Sequence, residues 1–141
     1  MKRVLYPLIV TLALIALRPA VADLEQPRRI IAVGDVHGAA DAFAAILTRA
    51  GLIDPEKRWI GGRSILVQTG DMTDRGAGMR GALDLLMALE SQASKAGGAV
   101  HAILGNHEIM NMVGELRDAT PQIFETFGGE AAKREAFGPR G

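Results

Sequence analysis

Seven side chains in this chain could together do chemistry on a phosphoryl group: Asp35, His37, Asp71, Asp74, Arg75, Asn106 and His107. They fall in three stretches, Gly34-Asp35-Val36-His37-Gly38, Gly70-Asp71-Met72-Thr73-Asp74-Arg75-Gly76 and Gly105-Asn106-His107-Glu108. Carboxylate, imidazole and amide oxygen suit divalent metals, and Asp35, His37, Asp71 and Asn106 supply that mix. Asp35 and His37 are two positions apart, so an extended turn can face both to one cation. Asp71 has two oxygens and lies on the middle stretch, which makes it the natural bridge to a second cation. Asn106 offers that second ion a neutral oxygen. Two such ions, about 3.5–4 Å apart, polarise a phosphoryl group and generate hydroxide near neutral pH. Arg75 suits a bidentate grip on phosphate oxygens. His107 could protonate a leaving oxygen, with Asp74 orienting the imidazolium.

Taken singly these residues carry little weight. A Gly-Asp pair is common turn chemistry, and an isolated Arg is usually a surface charge. The repetition is what counts, because each stretch directly follows or closely trails a short apolar run, at 30–33, 64–68 and 100–104. Loops at the carboxyl ends of parallel strands are where open α/β sheets place their ligands. His101, inside the third run, reads as a packed or edge histidine and receives no role.

The elements that must hold these loops follow from the pattern. Residues 29–33 are β-branched and apolar with little alternation, as in a strand buried on both faces of a parallel sheet. Residues 41–50 predict a helix whose stripe is Phe43, Ile46, Leu47 and Ala50, with Gly51 ending it. Residues 54–58 and Gly61-Gly62 are breakers; Trp59 and Ile60 between them suit a short edge strand or flap, with Trp59 a packing residue. Residues 64–68 form the second strand. Residues 79–95 carry the strongest helical pattern, with Met79, Leu83, Leu86, Met87 and Glu90 at helical spacing and the methionines expected in the core. Gly97-Gly98 ends that helix, 99–104 is the third strand, and another helix begins at 108–112. Past Gly114 the stripes are short, with helices expected at 122–127 and 130–137. The order β-α-β-α-β predicts an α/β fold of right-handed βαβ units with a parallel sheet.

The 141 residues, 48% hydrophobic and 23% charged, suffice for one globular domain with a core. A basic start at Lys2 and Arg3, an apolar run over 8–17 and the small-x-small site Ala20-Val21-Ala22 together predict a cleaved signal peptide over 1–22. The apolar run is short for a membrane span of about 20 residues, so export to the periplasm or beyond, with no stable span after cleavage, is the expectation. Cleavage would leave 13 basic and 16 acidic residues, a net charge of −3. That argues against a nucleic-acid partner, which needs a basic face. The absence of Cys rules out disulfides and thiolate metal sites.

The three stretches, GDVHG, GDMTDRG and GNHE, resemble the signature blocks of the calcineurin-like metallophosphoesterase superfamily. The DRG ending is similar to its phosphoprotein-phosphatase branch. The runs GNHEIMNMVGELRD from Gly105 and LVQTGDMTDRG from Leu66, with the 59–62 insert, resemble the Shewanella-like protein phosphatases. The resemblance spans about residues 29–118. It implies a two-metal phosphomonoesterase that hydrolyses phosphoprotein or a small phosphate ester by in-line attack of metal-bound hydroxide. It implies metal binding by Asp35, His37, Asp71 and Asn106, phosphate contacts from Arg75 and Asn106, and a general acid His107 paired with Asp74. Manganese is the foremost metal, with iron or zinc as alternatives. Members of the family carry further histidine ligands downstream, whereas His107 is the last His here. Residues 23–141 are therefore expected to be a metallophosphoesterase domain truncated at the carboxyl end, an amino-terminal half of the α/β sandwich. Two other readings stay open: a diadenosine polyphosphate hydrolase, which shares the three blocks, and an inert fragment that binds metal or phosphate without turnover.

Overall fold

A computed structural model describes residues 28–138. The expected signal peptide at 1–22 lies outside the described residues. The elements run β1 (Ile30–Val33), α1 (Ala40–Arg49), β2 (Ile65–Gln68), α2 (Met79–Lys95), β3 (Ala99–Ala102), α3 (Asn106–Met112), α4 (Pro121–Phe127) and α5 (Glu130–Ala136). The strands form one parallel sheet in the order β1-β2-β3, so the α/β expectation holds. Among the described residues no helix is long and apolar enough to cross a membrane.

Parallel neighbours need long crossovers, and two crossovers of one hand, moving the same way along the sheet, deliver both helices to one face. The core reflects this. Val33, Leu66 and Val100 from the strands pack with Phe43, Ala44 and Leu47 of α1 and with Ala82, Leu85, Leu86, Leu89 and Ala93 of α2. Register puts Ile31, Leu66 and Val100 in one row, and the rows on either side point to the opposite face. Among the described residues that opposite face is largely uncovered at its flanking strands: Ile30 is 65% exposed, and Ala32 and His101 are exposed with it, while Ile65, Val67 and Ala99 are half-buried. The expectation that the first strand is buried on both faces is thus corrected, since an apolar run shows that a strand is hydrophobic but not how many layers cover it.

Both helices obey their stripes in the main, with Ile46 displaced in the first and Met87 and Glu90 in the second. In α1, Phe43, Ala44 and Leu47 are buried while Ile46, expected in the stripe, is 48% exposed. In α2, Met79 is fully buried and Met87 is 67% exposed, with Leu85 and Leu89 taking the inner positions. Helix α1 ends as read: Gly51, at φ +66°, donates to Thr48 O (2.9 Å), and Leu52 N–H returns to Leu47 O (2.9 Å). The 52–62 connection is a flap, joined by the antiparallel bridge Ile53–Trp59. Trp59 is buried, with its indole N–H on Gly62 O (3.0 Å) and its backbone N–H on the Gln92 side chain (2.8 Å). Helix α4 starts one residue earlier than the stripe indicates, with Thr120 as side-chain cap and Pro121 in its first turn.

The strand ends matter most for function. Val33, Gln68 and Ala102 share one row, so all three motif loops leave the sheet at the same level and on the same edge.

Candidate active site

The loops interlock through backbone before any side chain is considered. The amides of Val36 and His37 both donate to Asp71 O (3.0 and 2.9 Å), and Gly38 N–H donates to Met72 O (3.0 Å). Gln68, fully buried at the end of β2, donates to Gly34 O (3.1 Å) and Gly70 O (2.8 Å) and accepts from Gly70 N–H (2.8 Å). It ties the first loop to the second. Gly70 sits at φ +104°, and a Cβ there would overlap the backbone of Gly105 in the third loop. A Gly70→Ala chain should therefore lose about 2 kcal/mol or more of stability, from strain and overlap together. A urea midpoint equal to the parent's would show that the second and third loops do not meet this closely.

Strain gathers here. Among the described non-glycine residues with positive φ are His37 (46°), Asp71 (56°), Asp74 (64°) and Arg75 (62°), all of them motif residues; Lys57 is the other. Left-handed backbone disfavours L side chains, and such residues persist where the surroundings over-determine them, commonly at functional sites.

The side chains converge. Candidate ligand atoms of His37, Asp71 and His107 lie within 4.8 Å of one another. His37 turns Nδ1 to Thr73 O (3.0 Å), leaving Nε2 3.5 Å from Asp35 Oδ2. A backbone carbonyl on one ring nitrogen is the usual way a protein aims the other at a metal. Asp71 Oδ1 accepts from His107 N–H (3.0 Å). Asp35 is largely exposed beside His37. This carboxylate and imidazole donor set, with its second nitrogen already committed, fits a divalent cation. Asn106, read as a ligand and phosphate contact, has an exposed side chain whose amide nitrogen lies 3.8 Å from Met110 Sδ. His107, read as an acid, lies inside the carboxylate and imidazole group.

His107 is buried and held at both ring nitrogens. Nδ1 lies 3.2 Å from Asp74 Oδ2, and Nε2 lies 3.2 Å from Arg75 Nη2. Guanidinium can only donate and carboxylate can only accept, so the neutral ring carries its proton on Nδ1 and takes the Arg75 bond on Nε2. The ring also stands edge-on to His37, with centroids 4.6 Å apart. Arg75 is exposed, its backbone N–H on Asp118 O (3.2 Å).

Three residues to which the sequence reading gave no role organise the rest. Glu108 receives Asp71 N–H (2.7 Å) and Gly105 N–H (2.8 Å) on one oxygen, and Thr73 N–H (3.0 Å) and Oγ1–H (2.9 Å) on the other. Burial alone would push its carboxyl up, but the Gly105 and Asp71 amides and the Thr73 hydroxyl and amide outweigh it and hold it below the ordinary value. Asn111, four positions after His107 on one helix face, donates to Asp74 Oδ2 (2.7 Å) and His107 O (2.8 Å). Lys133, on α5, is fully buried with Nζ 3.3 Å from Asp74 Oδ1. The place of Glu108 three residues after the helix cap Gly105, from which a carboxylate reaches back to the cap amide, could have found Glu108, and the i, i+4 spacing could have found Asn111. No sequence signal marks a buried lysine.

The Calcineurin-like phosphoesterase family model matches residues 28–139. The chain belongs to the calcineurin-like phosphoesterase family. This chain is 42% identical over 103 residues to Shewanella-like protein phosphatase 2 of Arabidopsis thaliana, covering 73% of this chain and 26% of that protein. It is 37% identical over 99 residues to Shewanella-like protein phosphatase 1 of Plasmodium berghei, covering 70% of this chain and 27% of that one. Its fold matches the crystal structure of a mutant cold-active protein tyrosine phosphatase at TM-score 0.73 and 33% identity, over 79% of this chain and 34% of the other. The cold-active protein-tyrosine phosphatase of a psychrophile Shewanella sp. matches at TM-score 0.68 and 33% identity, over 77% and 31%. The chain thus spans about a third or less of the length of these relatives.

Proposed function

We propose that this phosphoesterase hydrolyses phosphate monoesters, of phosphoprotein or of a small ester, with the help of two divalent ions, manganese foremost. The observation that carries the reading is His107, buried with Nδ1 against Asp74 and Nε2 toward Arg75, beside the His37 and Asp71 ligand atoms. The names of the curated and solved relatives, protein phosphatases, support a phosphoprotein substrate.

Asp35, His37 and Asp71 would hold metal, with Asn106 joining by rotating away from Met110. Bound there, divalent ions neutralise phosphate charge and lower the pKa of bound water. The chain's own residues do the rest. An arriving phosphate dianion draws the Arg75 guanidinium onto its oxygens, which frees Nε2 of His107. The freed Nε2 takes a proton from solvent, so the ring keeps its Nδ1–H on Asp74 and presents Nε2–H to the ester oxygen. Water adds to phosphorus opposite that oxygen, the ester P–O bond breaks, the departing oxygen takes the Nε2 proton, and the proton shed by the added water passes to solvent.

The test compares the parent with Asp71→Asn, which tolerates the positive φ and keeps an acceptor for His107 N–H. The parent should turn over nitrophenyl phosphate in proportion to bound manganese. The variant should bind less manganese by elemental analysis and lose about 10²-fold or more in rate. Equal metal content and rate in the two proteins would refute metal binding at Asp71.

A further inference from the structure

The catalytic reading uses one oxygen of Asp74 and leaves the other to a residue 59 positions away. Lysine is almost never fully buried unless paired, and Lys133 is 0% exposed. Its Nζ lies 3.3 Å from Asp74 Oδ1, donates to Asn111 Oδ1, and sits 5.1 Å from the Phe137 ring centroid. Asp74 Oδ2 meanwhile takes Asn111 Nδ2 (2.7 Å) and His107 Nδ1 (3.2 Å). The carboxylate is therefore pinned at both oxygens, and Asn111 is pinned at both ends of its amide. We propose that Lys133 is a positioning residue: by occupying Oδ1 it fixes the rotation of the Asp74 carboxylate, keeps Oδ2 on His107 Nδ1, and so keeps His107 Nε2 aimed at the reacting ester.

The inference rests on the role given above to His107, and the test has arms that separate the two. Lys133→Met preserves the buried stem and deletes the ammonium, leaving Asp74 free to turn and without its counter-charge. Lys133→Gln, a neutral donor, serves as a second variant should the first not fold, and Lys133→Arg restores charge. The first arm needs no turnover. In nitrogen-resolved NMR at neutral pH, the parent should show a slowly exchanging His107 Nδ1 proton, and the Met or Gln variant should lose it while its backbone spectrum remains folded. Adding Asp74→Asn to Lys133→Met should raise the melting temperature above that of the single variant, because the uncompensated buried charge is gone.

The second arm reads the acid directly. Lys133→Met should slow hydrolysis of phenyl phosphate by about 10- to 100-fold and of nitrophenyl phosphate by less than about 3-fold. It should slow nothing further in a His107→Ala background, and Lys133→Arg should recover part of the loss. An unchanged His107 Nδ1 proton, or equal slowing on both esters, would reduce Lys133 to packing and overturn the proposal. A parent without turnover would instead sink the phosphatase reading, and the NMR arm alone would then decide whether Lys133 orients His107.

Discussion

Glu108→Gln should cost this chain on the order of 3–5 kcal/mol, close to a third or more of the stability of a typical domain. Glu108 makes four hydrogen bonds, and every partner is a donor. A carboxylate can accept all four. A carboxamide keeps one oxygen for the Asp71 and Gly105 amides and turns an NH₂ group toward Thr73, where the hydroxyl can rotate to accept but the backbone N–H becomes a donor–donor contact in a buried site, and all four bonds lose the charge of the acceptor. The damage falls on function as well as stability, because those donors hold Asp71 at positive φ, Gly105 packed against it and Thr73 buried. Acid should reproduce the effect in the parent. The folded carboxyl is held below its ordinary value of 4.5, so its contribution is fully present above that value and is lost as pH falls through the folded one. The stability gap between parent and Glu108→Gln should therefore be widest at neutral pH and narrow below about pH 4.5. Urea unfolding at several pH values measures it. A gap that is small at pH 7, or that does not change with pH, would mean that Glu108 does not carry the loops as a carboxylate.

Much of this site is legible from the chain because its parts are local. Each motif loop is set by its own glycines and by a strand of fixed length immediately before it, and the shared row Val33, Gln68 and Ala102 brings the loops level. Helix α2 spans the residues its pattern indicates because seventeen residues of periodicity average out single exceptions. What stays hidden is relational. Periodicity places Ile46 and Met87 in apolar stripes, but which members of a stripe are covered depends on the neighbouring elements, and both are exposed. Hydrophobicity of β1 could not say that Ile30 and Ala32 are exposed among the described residues. Lys133 is the extreme case: its sequence neighbours, Glu130 to Ala136, look like a solvated short helix, and only the buried carboxylate of Asp74, 59 positions earlier, turns its charge inward.

The largest expected effect on catalysis is that of His107→Ala, and its size should depend on the leaving group. A serine or phenyl oxygen departs poorly as an anion and needs the Nε2 proton; positioned general acids are worth about 10²–10⁴-fold. Nitrophenolate departs unaided and should show a loss of only a few-fold, on the order of what a small change in site shape produces. The comparison also decides between two uses of the same ring. His107 shares a 4.8 Å cluster with His37 and Asp71, so it could serve as a metal ligand rather than an acid. A ligand's removal would lower manganese content and slow both esters alike. An acid's removal would leave manganese content at the parent level and slow only the ester with the poor leaving group. The commitment of Nδ1 to Asp74 and of Nε2 to Arg75 favours the acid, because a guanidinium that close to Nε2 would repel a cation bound there. Elemental analysis and paired rates on phenyl and nitrophenyl phosphate give the answer; equal slowing with depleted metal would move His107 from the acid to the metal site.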